Sequence, residues 1–160
     1  MSTPTSPPSP FVQWLQAVLP DMGAEITSLN QSMGLEFETG EMTVSVSEHP
    51  HDDSRVIVEV WVRGISPDEL SGAGAELMVL HQLNDRARRE HDWVISIDSE
   101  LGLTVGTTAR VCELDAQGLQ ALMADGLEKG DAVQMLWRDL TRPVASQPQP
   151  GDLSASALRI

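Results

Sequence analysis

A chain of 160 residues with 41% hydrophobic residues can bury a core of its own as one domain, and with aromatics at 4% and no Tyr that core rests on Val, Leu, Ile, Met and four Trp. A formal net charge of −14 disfavours nucleic acid and anionic lipid as partners, and the one basic cluster, Arg86, Arg88 and Arg89, is interleaved with Asp85, Glu90 and Asp92. The single cysteine, Cys112, excludes an internal disulfide and suits a reducing, cytoplasmic setting, while no apolar run approaches the roughly 18 residues that cross a bilayer.

Residues 1–9 are mostly Ser, Thr and Pro, and the sequence predicts a disordered tail there. The opening MSTPTSPPSP has neither a basic nor an apolar region and does not read as a secretory signal. Residues 143–160, rich in Pro and Ser, read as a second disordered tail, so a single folded domain is expected over 10–142. In FVQWLQAVL, Phe11, Trp14, Leu15 and Val18 recur at helical spacing on one face, and Pro20 ends or kinks that helix. A weaker helical pattern follows, with Ile26, Leu29 and Met33 on one side and Gly34 as its stop.

Three strand signals come next. Leu35 and Phe37 alternate in LEFE, Gly40 supplies a turn, and Met42, Val44 and Val46 alternate in the second strand. After the polar loop SEHPHDDS, the third strand is VIVEVWV. Val56, Val58, Val60 and Val62 face one way, and Ile57, Glu59 and Trp61 face the other. Ser66, Pro67 and Glu69 then read as a capping box opening a helix that runs to about Arg89, with Leu70, Ala73, Leu77, Leu80, Asn84 and Ala87 on one face. Gly72 and Gly74 each cost that helix about 1 kcal/mol relative to Ala.

Trp93, Ile95 and Ile97 alternate in a fourth strand. The turn DSELG leads to a fifth, in which Leu103, Val105, Thr107, Ala109 and Val111 alternate. Asp115 caps a long final helix whose stripe is Leu119, Leu122, Met123, Leu127, Val133, Leu136, Trp137 and Leu140, with Gly126 and Gly130 as loosening points in its middle. The order helix(-helix), three strands, helix, two strands, helix describes an α+β fold with a twisted antiparallel sheet.

Residues with chemistry are few. Glu48, His49, His51, Asp52 and Asp53 cluster in one loop, and His with carboxylate can hold a transition metal. The plainer reading is a solvated, turn-forming loop, and no metal site is assigned. His81 and His91 are scattered, and Cys112, beside Glu113, reads as a buried, inert thiol. No nucleophile elbow, phosphate loop or dinucleotide fingerprint is present, so neither catalytic residues nor a cofactor are expected.

Three patterns carry a resemblance: GLEFETGEMTVSV (34–46); LHQLN (80–84) followed by WVISIDSELGLTV (93–105); and the Trp-containing stripe at 133–140 of the last helix. Together with small size and low pI they resemble the class I type III secretion chaperones, over about residues 11–142. The resemblance implies a homodimer in which the 66–89 helix and the strand beginning at Trp93 form the interface, with Leu77, Leu80, His81, Asn84 and Trp93 as candidates. The same residues would also serve simply to cover the chain's own sheet. It further implies binding of the unfolded N-terminal segment of a secreted effector, with Phe11, Trp14, Leu15, Val18, Ile57 and Trp61 as candidate contacts, and a further partner in the secretion ATPase. For Trp61 the alternative is that the first helix covers its face. A regulatory protein–protein interaction module of the same fold, without a secretion client, is the competing functional reading.

Overall fold

The computed structural model describes residues 8–22, 34–90 and 92–142. Two tail expectations and the Ile26–Met33 segment fall on residues 1–7, 143–160 and 23–33, outside the described ones. The elements are α1 (Pro10–Asp21), β1 (Gly34–Thr39), β2 (Met42–Glu48), β3 (Arg55–Gly64), α2 (Pro67–Gly72), α3 (Gly74–Glu90), β4 (Val94–Ile97), β5 (Gly102–Arg110) and α4 (Ala116–Thr141), with a short 3-10 turn at Val111–Glu113. This is the α+β order that the sequence predicts.

The strands form one antiparallel sheet in the order β1-β2-β3-β5-β4. Gly40, at φ +63, makes the β1–β2 turn possible, since only glycine enters that region freely. Period-2 patterning sorts the faces of β3 as expected. Val56, Val58, Val60 and Val62 are all buried, whereas Ile57 and Glu59 are half-buried and Trp61 is exposed. The β3–β5 register shifts between Trp61 and Arg63.

The core lies on the valine side. There α4 packs across β2, β3 and β5, and α1 packs against α4 and the 3-10 turn. Phe11, Leu15, Val18, Leu19, Leu119, Val133 and Trp137 join the valines in one cluster. Burying a side chain of this size contributes about 1.5–3 kcal/mol, so this layer supplies most of the fold's stability.

Gly126 and Gly130 do not loosen α4; they are buried where the helix meets the sheet. A Cβ on Gly126 would stand 2.6 Å from the Trp93 ring and 3.0 Å from Val60, and one on Gly130 would stand 2.9 Å from Met42 Sδ. Their missing side chains let the helix approach the sheet closely, which offsets the local helix cost.

Three other expectations are corrected. The single helix from Ser66 to Arg89 is broken at Ala73, which caps α2 with φ −92 and ψ 33. Ser66 does cap α2, its hydroxyl accepting from Glu69 N–H at 3.1 Å, but the Glu69 carboxylate turns elsewhere. Its Oε1 accepts from the buried Trp137 indole at 2.6 Å and its Oε2 pairs with Arg63 at 3.1 Å. Cys112 is exposed in the 3-10 turn, because β5 ends one residue before Val111 and the chain leaves the sheet there.

Candidate functional site

The stripe of α1 turns inward. Ser9 caps the helix by accepting from Val12 N–H, which sets Phe11, Trp14, Leu15 and Val18 toward α4. Phe11 and Leu15 are fully buried, Val18 and Trp14 nearly so, and the Trp14 indole donates to the Leu114 carbonyl at 2.7 Å. These four side chains complete the chain's own core, and another protein would reach them only by displacing α1.

The opposite sheet face is different. Ile57 and Trp61 lie outside the core cluster, and α1, which packs against α4 and the 3-10 turn, does not cover them. Cross-strand register puts Trp61 between Thr43 and Thr104, and Glu59 between Ser45 and Gly106. Trp61 is 39% exposed. Its ring lies over Gly102, where a Cβ would meet Cδ1 at 2.8 Å. Around it Glu36, Thr43, Ser45, Glu59, Asp98 and Thr104 line a depression of about 350 Å³. A second hollow, of about 530 Å³, shares Glu59 and continues along this face past Ile57 and Val94 to Arg55, Arg88 and His49. β1 stands at one end of the strand order, so one of its sides has no strand beside it among the described residues, a geometry that accepts an added strand.

α3 is sparsely covered along its 17 residues. Leu80 is its one buried residue. Leu77, Met78 and Leu83 are exposed large apolar side chains on it, and His81 is exposed, 3.9 Å from Asp85. Of the predicted interface set, Leu80 and Trp93 belong to the chain's own core, and the Trp93 indole donates to Asp125 at 2.6 Å. Asn84 holds the backbone of Ile95. Leu77 and His81 remain on the surface. The sequence reading missed Met78 and Leu83 because they fall off the single stripe it followed; five apolar residues among seven (77–83) were the available sign of a second face.

Local contacts hold Asp52 and His49 in the Glu48–Asp53 loop. Asp52 accepts from Ser54 N–H and Oγ and pairs with Arg55 at 3.2 Å, while His49 Nδ1 accepts from His51 N–H. The Ser54 hydroxyl is the main cause holding the Asp52 carboxyl below its usual range. Among the described residues no three His, Cys, Asp or Glu side chains are placed to hold a metal ion. No described helix is long and apolar enough to cross a membrane.

No protein-family profile matches the chain, and no curated protein does. Solved structures do. A chain of the ExsC–ExsE complex superposes with a TM-score of 0.65 at 17% identity, covering 81% of this chain and 97% of that one. One from the HopA1–SchA chaperone–effector complex gives 0.61 at 10% identity, covering 83% and 99%. One from the complex of the Yersinia pestis type III secretion chaperone SycH with a stable fragment of YscM2 gives 0.53 at 10%, covering 76% and 98%. At these identities the likeness is one of fold, and it spans nearly the whole of each neighbour.

Proposed function

We propose that this chain is a homodimeric, non-enzymatic, cytoplasmic chaperone of a type III secretion system, which holds the N-terminal segment of an effector unfolded and delivers it to the secretion ATPase. The observation that carries this reading is the one-sided sheet. Among the described residues, helices cover the valine face, while the face bearing Ile57 and Trp61 and one side of β1 are left open. An extended segment fits such a surface, through backbone pairing at the edge and side chains laid on the face. Two of the fold neighbours are described as chaperones in complex with another protein, which supports the same use here.

Ile57 and Trp61 are the proposed client contacts. Phe11, Trp14, Leu15 and Val18 are buried in the core and hold α1 to α4 and the 3-10 turn. The proposed dimer contact is the exposed flank of α3, Leu77, Met78, His81 and Leu83, because a cluster of apolar side chains at the surface of one helix is stable in water when a second copy covers it.

The test is co-expression with the N-terminal ~100 residues of each exported protein encoded nearby, a length that spans one domain's worth of chain, read by light scattering. Two copies of this chain per captured segment support the proposal. A clean dimer that captures none favours a regulatory module of the same fold, and a monomer removes the dimer. The variant Leu77→Asp with Leu83→Asp should keep the far-ultraviolet circular dichroism and halve the mass.

A further inference from the structure

We propose that the depression around Trp61 is a subsite for one arginine side chain of the segment this chain binds. The inference rests on the chaperone reading and names the chemistry that its open face selects. Three of the four tryptophans spend their indole N–H inside the fold, on Leu114 O, Asp125 and Glu69. Trp61 alone is exposed, with no acceptor for its N–H among the described residues. The carboxylates of Glu36, Glu59 and Asp98 line the same depression, and among the described residues none of them is in an ion pair.

The second, independent observation is Thr104. It is the cross-strand neighbour of Trp61, is 2% exposed and lines the depression, and its hydroxyl has no hydrogen-bond partner among the described residues. A buried hydroxyl left unpaired is destabilising, so a donor reaching it is stabilised. A guanidinium meets the indole face, a carboxylate and the hydroxyl together, and leaves the Trp61 N–H to solvent. Its flat face stacks on the indole, its forked N–H groups pair with the Glu59 carboxylate, and a further N–H is left for Thr104 Oγ1. An ammonium has neither the plane nor the fork, so arginine is selected over lysine.

The probe is N-acetyl-arginine amide, with N-acetyl-citrulline amide as its neutral isostere, added to the full chain while the Trp61 indole N–H resonance is followed by NMR (assigned with Trp61→Phe). The expected result is a saturable shift with the arginine probe, about fivefold or more weaker with citrulline and with Glu59→Gln, the loss that one cation–π or ion-pair contact represents. Equal responses to the two probes, or no shift, overturn the subsite. In a captured complex, one Arg→Gln change in the segment should weaken binding about fivefold or more, and that loss should vanish against Trp61→Ala. Capture without such coupling removes the subsite and leaves the chaperone reading standing. A saturable probe response with no segment captured leaves the subsite and removes the chaperone reading. Coupling of Trp61→Ala to Arg86→Gln, Arg88→Gln or Arg89→Gln in the dimer mass would give the depression to a second copy and overturn the assignment to a client.

Discussion

The side-chain amide of Asn84 holds the backbone of Ile95 at both ends: Nδ2 donates to the Ile95 carbonyl at 2.6 Å, and the Ile95 N–H donates to Oδ1 at 2.8 Å. Ile95 lies opposite Val105 in the β4–β5 ladder, and β4 is the last strand of the sheet. Asn84 thereby occupies the place of a missing strand, fastening α3 to the sheet and closing β4 to strand addition at that point. The client edge in our reading is therefore at β1.

Asn84→Asp should destabilise the fold by about 1–3 kcal/mol, because aspartate cannot donate and sets a carboxylate against the Ile95 carbonyl. Chemical denaturation measures the loss, and hydrogen exchange should show the Ile95 amide opening faster. An unchanged Ile95 exchange rate would refute the clamp.

Glu69 joins two elements far apart in the chain, accepting from the buried Trp137 indole and pairing with Arg63. Glu69→Ala leaves the buried indole N–H without its acceptor and the guanidinium without its carboxylate, and we expect a loss of about 2–3 kcal/mol. Arg63→Ala should cost less, because its side chain is 34% exposed and solvent screens the pair. The reverse ranking in urea unfolding would refute the network.

The two buried glycines of α4 should behave differently. Gly126→Ala drives a methyl to 2.6 Å from the Trp93 ring, and overpacking of this kind costs about 1–3 kcal/mol, more than the helix-propensity gain of about 1 kcal/mol. Gly130→Ala meets the sulfur of the flexible, half-buried Met42 at 2.9 Å, and the two terms should nearly cancel. Thermal unfolding of the pair checks the ranking.

The Asp52 carboxyl is held below its ordinary value of 3.8, first by the Ser54 hydroxyl and then by the Ser54 N–H. A carboxyl depressed in the fold stabilises it above the unfolded value, and that contribution is lost as pH falls through the folded value. An NMR titration should place the Asp52 midpoint below 3.8, and Ser54→Ala should move it upward. No movement would mean that the hydroxyl is not the cause.

Sequence periodicity alone determined the element order and the inner and outer faces of β3, because a strand alternates strictly and four valines in register can face only one layer. It also marked Ser66 and Asp115 as helix caps, since capping is a contact within four residues. It did not separate the stripe of α1 from the flank of α3. Both are apolar at helical spacing, yet Phe11 and Leu15 are buried while Met78 and Leu83 meet solvent. Spacing shows that a helix has an apolar side and carries no record of what covers it. The glycines of α4, the partner of Asn84 and the carboxylate of Glu69 were hidden for the same reason. Their local signals were a weakened helix, one more position on a stripe and a capping box. Their actual roles depend on Trp93, Ile95 and Trp137, residues placed against them only when the sheet and its helices close together.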